Sequence, residues 1–362
     1  MACQTTTLPR DKSEKATTGN FFEDFTIGMV IGHATPRTLT NADQALYTAL
    51  YGSRFALQSS AEFARHMGHT QAPLDDLLVF HVIFGKSVPD ISLNALANLG
   101  YANCRFIKPV YSGDTLTAQS TVIGLKPNSN GKTGVVYVET TGKNQRDETV
   151  LSFNRWVMVK KRDEAASTKE HSPAPMPKVV STNELGLAIP HFGPVHWNST
   201  LSGSEYLLGD YHVGERINHI DGATVQEAEH QMATRLYQNT ARVHFDAHYT
   251  ANSRFGRPLI YGGHVISIAR AQSFNGLANA CNITAINGGR HIAPLFAGDT
   301  VYSWSEIIDS TRLKNRDEIG ALRIRTIATK NRSCEDFPYK DQEGKYDEGV
   351  ILELDYWATI PT

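Results

Sequence analysis

Residues 39–52, LTNADQALYTALYG, place Ala42, Leu46, Ala49 and Leu50 at helical spacing, with Thr40 or Asn41 as the cap. Residues 74–88, LDDLLVFHVIFGKSV, are apolar around the whole helical circumference, which demands burial on most sides. After them the period changes. GDTLTAQSTVIGL, TGVVYVETTG and ETVLSFNRWVMVKK are β-branched, partly alternating and separated by Gly, Asn and Asp turns, so they predict strands. Short turns between neighbouring strands imply an antiparallel meander. A buried helix with such a sheet wrapped around it is an α+β layer arrangement.

The pattern occurs twice. FFEDFTIG at 21–28 resembles LLGDYHVG at 207–214, pairing Asp24 with Asp210 and Gly28 with Gly214 at an offset of 186. His33 and His219 share that offset, and SGDT and AGDT (112–115, 297–300) lie 185 apart. Trp156 and Trp357 differ by 201, so the second copy carries an insertion of about fifteen residues, for which the polar, turn-rich stretch 333–349 is the natural place. The division expected is a disordered tail (1–18), a first repeat (19–162), a charged, Pro/Ser-rich linker (163–200) and a second repeat (201–362).

Composition narrows the function classes. A net charge of −2 offers no basic footprint for nucleic acid, and no run is apolar enough for a membrane span. The polar N-terminus has no apolar signal region, and the four cysteines lie far apart with no zinc spacing. A cytoplasmic protein with reduced thiols, no metal site and symmetric self-association is the expectation.

The order of elements resembles the hot-dog fold, in tandem, and a polar motif after the capped helix resembles the MaoC-like enoyl-thioester hydratases. FFEDFTIG, HATPRTLT, LYGSRFAL, IFGKSVPDISLNALANLGYA, NGKTGVVYVE and RWVMVKKRD resemble a narrower family, the β-methylmalyl-CoA dehydratases, also called mesaconyl-C1-CoA hydratases. The resemblance spans nearly the whole chain except the linker. It implies a lyase that adds water reversibly across the double bond of a branched, carboxylated enoyl-CoA. CoA is then part of the substrate and no cofactor is implied.

Aligned on that hydratase motif, YQNTARVHFDAHYT at 237–250 puts His244 at the family's histidine and Asn239 where the family has Asp. The first copy carries Ser53 and Gln58 at those places, so only the second repeat can supply a base. Asn239 cannot be an acid but can orient His244 or a water. Asp246, two residues on, shares a face with His244 if the segment is extended, and is the candidate replacement acid. Glu229 and His230 are weaker candidates. In RPLIYGGHVIS at 257–267, Tyr261 takes the place of the family's His, and Gly262 or Gly263 would offer backbone N–H to the developing enolate. The first copy has no glycine at that turn. His264 is matched with His81 by local similarity and read, like His33 and His219, as structural. His191, His196 and Trp197 carry no readable role. Arg242, Arg254 and Arg257 are candidates for the phosphates or carboxylate of an acyl-CoA. The rival reading is an acyl-thioester-binding protein that kept the fold without the chemistry; a hydratase for other enoyl-CoA esters is a nearer alternative.

Overall fold

The structure is a computed structural model that describes residues 15–193 and 197–362. Most of the expected N-terminal tail, with Cys3, and His196 lie outside the described residues.

Eleven strands form one antiparallel sheet. The first half contributes β1 (Val30–Thr38), β2 (Ala95–Phe106), β3 (Thr115–Pro127), β4 (Thr133–Lys143) and β5 (Thr149–Lys160). The second contributes β6 (Arg216–Asn218), β7 (Ala223–Thr224), β8 (Asn282–His291), β9 (Thr300–Leu313), β10 (Arg316–Lys330) and β11 (Val350–Pro361). The order is β1-β3-β4-β5-β2-β8-β11-β10-β9-β6, with β7 also on β9. Each half thus repeats the other's order in reverse, and the halves join edge to edge where Tyr101 of β2 faces Gly289 of β8.

Each half wraps its sheet around a central helix, Asp76–Ser87 in the first and Gly262–Gln272 in the second. This is the tandem hot-dog arrangement. The first central helix is buried from Leu77 through Ser87, as its unbroken apolar text requires. The preceding helix, Asn41–Tyr51, starts at Thr40, whose N–H donates to Asp43 Oδ2 at 2.8 Å, and stops at Gly52 in the left-handed region (φ 63°). The two helices start 186 residues apart, and one apolar core runs through both halves. At the crossing, a Cβ on Gly85 would overlap the carbonyl oxygen of Tyr237, so only glycine lets the halves close.

Both His33 and His219 bond a serine through Nε2 (Ser120 and Ser305, 2.8 Å each), and each serine bonds a threonine (Thr140 and Thr326, 2.8 Å each). This duplicated network is buried and satisfied, a structural device in both copies. Between the repeats, Val180, Leu185 and Ile189 pack with Trp357 into a core of their own. The connection between β10 and β11 spans residues 331–349, and its Pro338 carbonyl accepts from buried Trp304 Nε1 at 3.0 Å. Cys104, Cys281 and Cys334 are free and buried.

Candidate active site

His244 ends a single 3-10 turn, Arg242–His244, after the helix Glu227–Leu236. Its Nδ1–H donates to the Leu259 carbonyl at 2.8 Å. That bond sets the tautomer and leaves Nε2, the basic nitrogen, without a partner among the described residues. Burial pulls the His244 pKa down to about 4, only partly opposed by the Leu259 bond, so the ring is neutral at pH 7.

The Gly262–Gln272 helix begins beside it. Its N-cap is Tyr261, whose side chain caps nothing, so the first-turn amides of Gly262 and Gly263 have no helical acceptor. The helix dipole adds partial positive charge there. The Tyr261 and His244 ring centroids are 5.4 Å apart. The His291 ring lies over Gly262, where a Cβ would overlap it; a Cβ on Gly263 would overlap Tyr261 and His81. His230 Nε2 accepts from Tyr261 N–H at 2.8 Å and so fixes where the helix starts. His264 Nδ1 bonds the Tyr51 hydroxyl at 2.9 Å, reaching into the other repeat. The site is therefore a wall of histidine and tyrosine at the junction of the halves.

Asn239 is buried, and its Oδ1 accepts from Ala241 N–H at 3.0 Å, which identifies its other terminal group as the NH2 donor. Asp246 departs from the sequence expectation. The segment is not extended: Asp246 is the N-cap of the short helix Ala247–Thr250, its Oδ1 accepting from Tyr249 N–H at 2.8 Å. One carboxylate oxygen is committed to the backbone, and the period-2 argument that placed Asp246 beside His244 does not apply. Glu229 is exposed on the helix surface. Arg242, Arg254 and Arg257 are all exposed around this segment, their guanidinium groups over Tyr249, Phe255 and Phe296 at 5.8, 5.3 and 3.9 Å.

Pairing His81 with His264 was a second misreading. Both central helices share one frame, so Asp75 corresponds to Tyr261, Asp76 to Gly262, Leu78 to His264 and His81 to Ser267. His81 Nε2 and Ser267 Oγ, 186 residues apart, bond each other at 3.1 Å. His264 thus has no histidine counterpart and belongs to the second site alone.

The corresponding place in the first repeat is closed. Gln58, in the position of His244, donates to the Cys281 carbonyl at 3.2 Å. Asp75 caps its helix through Leu77 N–H at 2.9 Å. Asp76 fills the helix mouth and accepts from Asn282 Nδ2 at 2.8 Å and Ile283 N–H at 2.9 Å, both from the other repeat. Among the described residues no three His, Cys, Asp or Glu converge as metal ligands, and no helix is long and apolar enough to cross a membrane.

The tandem hot-dog fold is also what comparison with known proteins returns. A family profile described as mesaconyl-CoA hydratase covers residues 3–337. The chain belongs to the mesaconyl-CoA hydratase family. It is 58% identical to a β-methylmalyl-CoA dehydratase of Chloroflexus aurantiacus over 96% of this chain and 99% of the relative. It is 55% identical to a mesaconyl-CoA hydratase of Cereibacter sphaeroides, again over 96% and 99%. A crystal structure of a MaoC domain dehydratase from Chloroflexus aurantiacus superposes with a TM-score of 0.94 at 57% identity, covering 96% of this chain and 99% of that one. The chain is accordingly a hydro-lyase of the MaoC-like kind.

Sequence reasoning passed over His291, Tyr101 and Arg155. His291 follows the strand text NGGR, and its alternation with Gly289 along β8 was the available signal.

Proposed function

We propose that the protein interconverts β-methylmalyl-CoA and mesaconyl-CoA, with His244 moving the proton and Gly262 and Gly263 N–H holding the thioester oxygen. The observation that carries this is the His244 tautomer: Nδ1–H is tied to Leu259 O, and Nε2 is free beside an uncapped helix start.

In hydration, the Asn239 NH2 group holds a water and His244 Nε2 takes its proton. The hydroxide oxygen bonds to the β-carbon, and the π electrons pass to the thioester oxygen as an enolate. Backbone N–H groups at the helix start stabilise that charge. The imidazolium then returns its proton to the α-carbon. Dehydration runs the same steps backwards, with the imidazolium protonating the departing hydroxyl. Burial that lowers the His244 pKa makes its imidazolium a better proton donor in both return steps and its neutral ring a weaker base in the first. One proton carrier suffices, so Asp246 has no part. The thioester acidifies the α-proton, and no metal or redox cofactor enters the scheme. Arg242, Arg254 and Arg257 would meet the CoA phosphates at the surface.

The test is the enoyl-thioester absorbance of mesaconyl-CoA. It should fall when enzyme is added and fall ~100- to 10,000-fold more slowly with His244→Ala. Wild-type protein that leaves it unchanged would overturn the reading.

A further inference from the structure

Arg155 of β5 is 1% exposed, yet its Nε and Nη1 have no hydrogen-bond partner. Among the described residues its one polar contact is Nη2 to Ser92 Oγ at 3.4 Å, and its guanidinium stacks 4.3 Å from the Phe84 ring centroid. No carboxylate among the described residues forms an ion pair with it. A buried cation with no counter-ion is costly, and burial pulls its pKa down to about 10. Tyr101, directly opposite on β2, is 2% exposed, and its hydroxyl too is buried without a partner.

These orphans border the site. Across the sheet Arg155 faces Tyr101, and Tyr101 faces Gly289. Gly289 lacks a side chain, and the Tyr101 ring occupies the space one would take. Two residues on along β8, on the same face, stands His291, its ring 6.1 Å from Tyr101 and lying against Gly262. On the other side Phe84 is 6.1 Å from Tyr261.

The internal symmetry says what is missing. In the second repeat the pair is swapped: Arg270 takes the place of Phe84, and Tyr356 that of Arg155. Arg270 is satisfied, by Ala280 O and Ser273 Oγ, and its charge acts on Asp75 and Asp76 at the closed helix mouth. Rotated onto the open site, those carboxylates become Tyr261 and Gly262. The cation is retained there and the anion is not.

We infer that Arg155 and Tyr101, both from the repeat without a base, bind the free carboxylate of the enoyl-CoA substrate. Mesaconyl-CoA, a monothioester of methylfumarate, carries one such group, bonded directly to the β-carbon of the double bond. The carboxylate supplies the negative charge that Asp75 and Asp76 supply to Arg270 in the closed site. The first repeat then selects the substrate that the second transforms. This rests on the proposed reaction for its substrate class.

The test compares mesaconyl-CoA with crotonyl-CoA, which ends in a methyl group, for wild type, Arg155→Gln and Tyr101→Phe. Calorimetric affinity is measured beside kcat/KM, so an inactive wild type would defeat the proposed reaction while binding still decides this inference. Arg155→Gln should weaken mesaconyl-CoA binding and kcat/KM by ~30-fold or more and leave crotonyl-CoA within ~3-fold. Tyr101→Phe, which removes one oxygen and keeps the ring, should show the same bias at ~5- to 10-fold. Equal losses on both esters, or no loss on mesaconyl-CoA, would overturn it.

Discussion

The hydroxyls of Tyr51 and Tyr237, 186 residues apart, meet at 2.7 Å. They are the same residue of the two repeats, so the internal two-fold axis passes between them. Tyr51 also reaches His264 Nδ1 at 2.9 Å, a bond Tyr237 has no counterpart for. Tyr51→Phe should therefore cost about 1–3 kcal/mol and Tyr237→Phe less, because only the first strands His264 as well. The double variant should cost less than the sum of the singles, read from chemical denaturation.

Asp246 and His244 should separate cleanly. Asp246→Ala removes a helix cap and should cost about 0.5–2 kcal/mol while kcat stays within a few-fold. His244→Ala should do the reverse, losing rate with little change in the denaturation midpoint. A rate loss in Asp246→Ala as large as in His244→Ala would restore the carboxylate as the acid.

The two glycines at the helix start are held in place by rings. Gly262→Ala meets His291, and Gly263→Ala meets Tyr261 and His81. Each should lower kcat by ~100-fold or more as the backbone donors shift. Gly209→Ala, with nothing near its Cβ and no positive φ, should be silent in the same assay.

Acid should unfold this protein before it titrates His244, the proposed base. Burial lowers His244, His264 and His291 to about 4, His81 to about 3 and His230 to about 2, from 6.5. These rings are neutral when folded, whereas the unfolded chain takes up protons as pH falls through 6.5. Their stability contribution is thus complete above pH 6.5 and is lost as pH falls towards 4 and below, with a limiting slope of about 1.4 kcal/mol per pH unit per histidine. Melting temperature and activity should fall together between pH 6.5 and 4.5. Reversible inactivation centred near 6.5, with the fold intact, would contradict this.

What the sequence revealed, and what it hid, follows from range. The repeat and both central helices were legible because spacing and periodicity are local. His81 and His264 were mismatched because the shared text HVI sits at offset 183, whereas the helices themselves stand 186 apart. Asp246 was misplaced because alternation was assumed across a turn. Arg155 could not be found at all: a strand arginine reads as surface charge until the fold shows that nothing answers it.

Asp76 joins the halves as well as closing the first helix mouth. Its bonds to Asn282 and Ile283 reach β8, the strand that the first repeat must meet along β2. The vacated pocket has become a weld. Reopening it, for instance with Asp76→Gly and Gln58→His, would undo the seam on which the proposed site also stands. On the proposed reaction, a chain built this way cannot open a second site without loosening the first, and it should bind one substrate per chain.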